Sequence, residues 1–305
     1  MNNFTLTLLG TASAMPVGDR NQSAQVLQVR ERLFLIDCGE GTQGQMVRLG
    51  IPMMKLDAIF LSHIHGDHVF GLFGLLSTIG MKGRQAPLYI YAPANFGPVL
   101  KFFLSYYGEG IPFEIHFVPL KMKAPETVFD GKALEVLAFP LNHGIETFGF
   151  LFREKEPMWN VRKEAIAQYG FTLTEIGAIK RGEDVVRPDG VIPNAEVAYK
   201  PYVPRSFAYC SDTAPFPEEA EWVRGVDLLY HEATYLAEYA DQAEARHHTT
   251  TLQAAALARD AGAGRLVVAH FSSRCRDASR YEEECRSVFP ETCAGKDGDV
   301  FEIGK

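Results

Sequence analysis

The sequence predicts an α/β fold in which helices cover stacked β-sheets, and three observations carry that prediction. Short apolar or alternating segments recur from Phe4 to Ala269 with helical segments between them in both halves of the chain, a rhythm that favours layered α/β packing over an all-β or all-α arrangement. At 305 residues and 47% hydrophobic composition, the chain has enough apolar material for a large core. It carries no short repeat of the solenoid kind.

The alternation Phe4-Thr5-Leu6-Thr7-Leu8 reads as a first strand, Phe4 to Leu9. Ala12-Ser13-Ala14 resembles a signal-peptide cleavage site, but no Lys or Arg precedes the apolar run and threonines break it, so a strand is the better reading. Strands follow at Ala24 to Val29, Arg32 to Ile36, Ala58 to Leu61, Leu88 to Tyr91, Glu114 to Pro119, Leu134 to Phe139 and Thr147 to Phe152. Thr42 is set to cap a helix over Gln43 to Leu49 that stops at Gly50, and Val69 to Ile79 reads as a second helix. From Arg153 to Arg205 the rhythm yields to a charged stretch punctuated by Gly and Pro. It holds one short helix, Val161 to Tyr169, capped by Asn160 and ended by Gly170, and reads as an insertion. Strands resume at Ser206 to Cys210, Val226 to Tyr230 and Arg265 to Ala269. A helix over Leu252 to Ala261, capped by Thr249 or Thr250 and ended by Gly262, precedes the last of these, and a final helix begins near Ser279.

Charge and cysteine content exclude several classes. A net charge of -8 argues against a diffuse basic surface, so any nucleic-acid contact must be local. The five cysteines, Cys38, Cys210, Cys275, Cys285 and Cys293, are odd in number and contain no Cys-x-x-Cys pair. Neither a disulfide framework nor a thiolate zinc site is expected, and a reducing cytoplasm fits. No stretch approaches the length of a membrane-spanning helix.

The chemistry centres on Ser62-His63-Ile64-His65-Gly66-Asp67-His68, which follows the apolar run Ile59-Phe60-Leu61. Imidazoles and carboxylates are the ligands of zinc and other divalent ions in open catalytic sites. His63 and His65 can reach one ion from a loop, while Asp67 and His68 can serve a second, a division that suggests two metals. Such a site needs more ligands at strand ends, and the sequence has them. Asp37, His143, Asp212 and His270 each follow an apolar strand, which suits a site along one edge of a sheet sandwich.

Taken together, Leu35-Ile36-Asp37-Cys38-Gly39-Glu40-Gly41-Thr42-Gln43, the His-x-His-x-Asp-His cluster, and the later His143, Asp212 and His270 resemble the metallo-β-lactamase superfamily. Within it the chain is similar to the ribonuclease Z family of tRNA 3′-processing endonucleases. That likeness runs nearly end to end, from Leu9-Gly10-Thr11 with Arg20-Asn21 through His231-Glu232-Ala233-Thr234 and His248-Thr249-Thr250 to His270-Phe271-Ser272-Ser273-Arg274.

The resemblance implies one domain over residues 1–305, a four-layered αββα sandwich, with residues 153–205 as an inserted arm that grips tRNA. It implies two Zn2+ per chain, one on His63, His65 and His143 and the other on Asp67, His68 and His270, with Asp212 bridging and Asp37 orienting ligands. Two ions roughly 3.5 to 4 Å apart neutralise charge on the attacking and leaving oxygens of an in-line displacement at phosphorus. Asp67 is the expected proton acceptor. His248 is the expected donor to the leaving oxygen, with His247 as a rival. His231 and Glu232 are possible supporting residues, His116 reads as structural, and Cys38 as a small buried residue. The implied substrate is precursor tRNA and the implied assembly a homodimer. Three departures stand out. The arm's charges are interspersed in sign, and Gly170 to Gly177, where the family carries a Gly-Pro tip, has no proline; Cys275 also replaces the family's usual tyrosine. The competing readings are a hydrolase of small phosphodiesters or esters on the same fold, and a non-catalytic RNA-binding protein whose metals only stabilise it.

Overall fold

The computed structural model describes residues 3–274 and 277–304, so Cys275 lies outside the described residues. Two compact units divide the chain. The larger runs up to Phe129, includes Val136–Phe152, and resumes at Ser206.

Two seven-stranded sheets build this larger unit. In the first, the order is Val300–Glu302, Phe4–Gly10, Ala24–Val29, Arg32–Ile36, Leu56–Phe60, Leu88–Pro93 and Ile115–Leu120. Its first four strands pair antiparallel, whereas the pairs from Arg32–Ile36 onward are parallel. Parallel neighbours need crossovers, and helices Thr42–Arg48, Gly71–Met81 and Gly97–Tyr107 lie in those connections. In the second sheet, Thr292–Ala294, Leu266–Ala269, Leu228–Glu232 and Ser206–Cys210 are parallel neighbours, followed by Phe148–Glu154, Leu134–Pro140 and Glu126–Asp130.

Alternation along each strand decides what each face meets. Leu33, Leu35 and Ile59 pack with Met46, Leu72, Leu76, Ile79 and Leu100 of the helices. Phe34 and Phe60 point the other way, where they meet Phe150 and Phe152 of the second sheet with ring centroids 5.2 to 5.8 Å apart. Such edge and tilted pairs add about 0.5–1.5 kcal/mol each beyond area burial. On the far side, Thr251–Ala261 offers the small buried face Ala254, Ala255 and Ala258. The result is the αββα layering that the sequence implied.

In the larger unit three sequence expectations need correction. Thr42 does not cap a helix; it is the first residue of Thr42–Arg48, and its hydroxyl donates to the Gly39 carbonyl. The helix expected from Val69 is two, Gly66–Val69 and Gly71–Met81. A whole helix, Gly97–Tyr107, was not foreseen, because its aromatic run hides the helical period. At Thr251–Ala261, by contrast, Thr250 and Gln253 form a capping box and Gly262 ends the helix in the left-handed region.

The smaller unit comprises Asp130–Glu135 and Arg153–Arg205. It has its own core of Ala165, Phe171, Ile179, Val185, Val197 and Ala198. Asn160 does not cap its first helix, Lys163–Tyr169, but lies in a two-residue strand paired with Ala198–Tyr199. Gly170 ends that helix with φ of 56°. The proline-free segment after it forms a second helix, Leu173–Arg181, which starts at a capping box of Thr172 and Glu175. Arg187 grips Glu175 through two hydrogen bonds of 2.7 and 3.0 Å and donates a third to the Tyr169 carbonyl.

Candidate metal centre

Parallel pairing brings the site together. Three neighbouring strands of the second sheet, ending at Cys210, Glu232 and Ala269, lead to Asp212, Glu232 and His270, and two of the first, ending at Ile36 and Phe60, lead to Asp37 and His63. In open α/β sheets the crevice beyond the carboxyl ends of strands is where ligands bind. Asp37 and His270 leave their strands in the left-handed region, at φ of 54° and 62°. Side chains other than glycine rarely adopt this conformation, at a cost of about 1–3 kcal/mol. Gly39 and Gly71 allow the cluster segment to close on the Asp37 loop. A Cβ on Gly39 would sit 2.3 Å from the Asp67 carbonyl oxygen, and one on Gly71 2.0 Å from that of Gly39.

Among the described residues four donor groups form; two of them, Cys210 with Glu219 and His231, and Asp212 with His248 and His270, are not the expected ligand groupings, and the other two hold the expected set. His63, His65, His143 and Asp212 place their ligand atoms within 4.8 Å of one another, as do Asp67, His68 and His270. His63 Nε2 lies 3.0 Å from His65 Nδ1, and His68 Nε2 lies 3.3 Å from His270 Nε2. Asp212, a member of the first group, also reaches toward the second: Oδ2 is 3.7 Å from His63 Nε2, while Oδ1 is 3.5 Å from His68 Nε2 and 3.3 Å from His270 Nε2.

The outer hydrogen bonds fix the tautomers. His68 Nδ1 donates to Asp37 at 2.7 Å, His143 Nδ1 to the His247 carbonyl at 2.9 Å, and His270 Nδ1 to the Thr234 hydroxyl at 2.8 Å. The Ser62 hydroxyl, which itself donates to Asp37, lies 2.9 Å from His63 Nδ1. With those protons engaged, the Nε2 lone pairs of four imidazoles face one another and the Asp212 carboxylate. This arrangement repels unless cations or protons lie among the donors, which is the fit expected of a divalent-metal site.

Electrostatics agree. Burial and then the neighbouring imidazoles push the His63 pKa well below its ordinary value, which keeps its lone pair available. Burial opposes a charge on His68 too, but Asp212, Asp67 and Asp37 outweigh it and push the pKa up to about 10. Negative charge thus exceeds what the site can neutralise without a cation or protons. Burial works against a charged Asp67 as well, yet His68, His270 and the Ala14 N–H, 2.7 Å away, hold it well below the usual carboxylate range.

His248 stands beside this centre, its ring centroid 5.2 Å from that of His143 and 5.6 Å from that of His270. Its Nδ1 meets Glu232 Oε1 at 2.7 Å. Glu232 is fully buried and also accepts from the Thr213 and Thr234 N–H groups and the Thr234 hydroxyl. Burial disfavours a charge on His248, but Glu232 outweighs it and pushes the pKa up to about 9. His247, the rival, is exposed and contributes its carbonyl to His143. His231 is turned away into a buried pair with Glu219 at 3.0 Å. Sequence reasoning left Glu232 as a possible support and passed over Tyr209, whose hydroxyl donates to Asp37 at 2.6 Å. A fully buried acid directly after an apolar strand was the available signal for Glu232; Tyr209 gave none, because an aromatic inside a strand reads as core.

Residues 197–271 match the family model of the beta-lactamase superfamily domain, and residues 4–102 match that of the anti-Pycsar protein Apyc1. The chain is 39% identical over 304 residues to a ribonuclease Z of Bacteroides thetaiotaomicron, spanning 99% of this chain and 96% of that one. It is 40% identical over 299 residues to a ribonuclease Z of Parabacteroides distasonis, with 98% of both chains covered. The chain belongs to the ribonuclease Z family. Among solved structures, human tRNase Z, short form, is similar with a TM-score of 0.71 at 26% identity, covering 99% of this chain and all of that one. A long-form RNase Z from yeast shares the fold, with a TM-score of 0.70 at 16% identity over 42% of its length. The donor groups and the Glu232–His248 pair are therefore the candidate site of a ribonuclease Z family member on the metallo-β-lactamase fold.

Proposed function

We propose that this chain removes the 3′ trailer of precursor tRNA by hydrolysing one phosphodiester bond, leaving a tRNA 3′-hydroxyl. The single observation that supports this most is Asp212, which offers one carboxylate oxygen to each donor group. A bridging carboxylate suits two ions, held by His63, His65 and His143 on one side and Asp67, His68 and His270 on the other. Two zinc ions held there would supply a water of lowered pKa and neutralise charge on the phosphodiester oxygens.

The protein's own groups supply the rest. Asp67, ionised and fixed by the Ala14 N–H, accepts the proton of the attacking water or holds it by hydrogen bond. His248, kept protonated by Glu232, donates a proton to the departing 3′ oxygen as the P–O bond breaks, so that the trailer retains the phosphate. The Arg153–Arg205 unit is the tRNA-gripping arm, and the working assembly is a homodimer. Among the described residues no helix is long and apolar enough to cross a membrane. We place the enzyme in the cytoplasm, in keeping with free thiols at Cys38, Cys210, Cys285 and Cys293.

The deciding experiment is cleavage of precursor tRNA with and without a chelator. Cleavage at the trailer junction is expected, with loss on chelation, about two zinc ions per chain by elemental analysis, and a solution mass near twice the 33.9 kDa chain. Turnover of small phosphodiesters with no cleavage of precursor tRNA would overturn the reading.

A further inference from the structure

We infer that Phe70 is the stacking platform for a base that flanks the scissile phosphate. Phe70 closes the helical turn Gly66–Val69, three residues after Asp67. Residues three apart on a helix are surface neighbours, and Asp67 is the carboxylate placed at the reacting centre. Phe70 is 64% exposed, while the Asp67 side chain is 12% exposed. The ring is also held in place. A Cβ on Gly66 would fall 2.4 Å from its Cε2 atom and 2.7 Å from Cζ, so the ring lies directly on the Gly66 backbone. Met15, 57% exposed, adds a second apolar side chain on the segment whose Ala14 N–H binds Asp67.

Single exposed apolar residues are ordinary on protein surfaces. Phe70 differs because it is an exposed aromatic seated on the backbone of the ligand-bearing segment itself. Single-stranded RNA is held at such places by stacking on aromatic rings, which is tolerant of base identity and needs no positive charge. That suits a chain of net charge -8, whose grip on RNA cannot come from a diffuse field. The inference rests on the endoribonuclease reading above.

The test is a coupling cycle between Phe70 variants and precursor tRNAs that carry an abasic residue on either side of the cleavage site. Phe70→Leu keeps apolar bulk on Gly66 but removes the π face. It should lower kcat/KM on the intact substrate roughly 5- to 100-fold, with unchanged metal content, while Phe70→Trp retains activity. At one flanking position, removal of the base should cost the parent enzyme a similar factor and cost Phe70→Leu almost nothing further. The loss should not depend on salt, unlike that of a phosphate contact. Parental activity in Phe70→Leu, or independent losses at both flanking positions, would overturn the inference. No cleavage by the unaltered enzyme would sink both this inference and the reading of function, so the two failures are distinguishable.

Discussion

The donor centre and the Arg153–Arg205 unit treat charge in opposite ways. At the centre, His63, His68, Asp37, Asp212 and Glu232 are all buried, and every outer hydrogen bond leaves a lone pair aimed inward. In the smaller unit the cations are consumed locally: Arg187 by Glu175, Arg181 by Glu183, Arg205 by the buried Glu154. Arg162 and Lys200 lie over the rings of Tyr199 and Trp159. Satisfied pairs of this kind hold a scaffold together, and the exposed ones contribute little each. Electrostatics left incomplete by the protein mark the place where something else binds.

The contrast predicts a steep gradient of effects. Asp212→Ala removes the carboxylate that reaches both donor groups and should lower cleavage by on the order of 10³-fold or more. Elemental analysis should find fewer metals, and circular dichroism should find the fold intact. Asp67→Ala belongs to the same class; undiminished cleavage by it would remove its proposed role. His248→Ala should cost about 10²- to 10⁴-fold while metal content stays at the parental value, since His248 is proposed to move a proton rather than hold an ion.

Glu232→Gln gives the pH signature. Glu232 raises the His248 pKa, so the protonated donor persists below about 9 and activity falls as pH rises through that value. With the carboxylate gone, the alkaline limb of kcat should move to lower pH. A limb that stays where it was would argue that His248 is not the donor. At the second row, Asp37→Asn should weaken metal affinity by about 10- to 100-fold, because His68 Nδ1 and Ser62 both lean on it.

How much of this was legible follows from the same contrast. Ligand residues are readable because their chemistry is carried by residue type: three histidines and an aspartate in six positions admit few structural explanations, and strand ends supply the rest. Asp212 was readable as a ligand, and its reach to both groups follows only once three parallel strands share an edge. Glu232 was half legible, since its importance lies in the partner it meets across the fold. The second helix of the smaller unit was missed because Leu173, Glu175 and Lys180 give little apolar period, and its stability comes from a capping box and from the Arg187 bridge, a contact between residues 12 apart. Gly97–Tyr107 was missed for the opposite reason, its apolar residues being too many to show a face.

The smaller unit should tolerate change in proportion to its self-sufficiency. Ile179 is fully buried in its separate core, and Ile179→Ala should cost about 2–5 kcal/mol of local stability. Faster proteolysis within 153–205, a raised KM for precursor tRNA and an unchanged metal content would mark the unit as a grip. A fall in kcat with KM unchanged would argue for a role at the chemistry instead.

The smallest effects are expected at Lys163 and Lys180, which are exposed and make no ion pair with another described residue. In a unit whose other cations are largely spoken for, these two, with the exposed Lys132, are available to meet phosphates. Replacing each by Ala should weaken binding of precursor tRNA several-fold, uniformly across sequences, and reduce the slope of log affinity against log salt by about one per lysine. Unaltered slopes would mean that the interspersed charge of this unit is a solvated scaffold, and that the tRNA is held elsewhere.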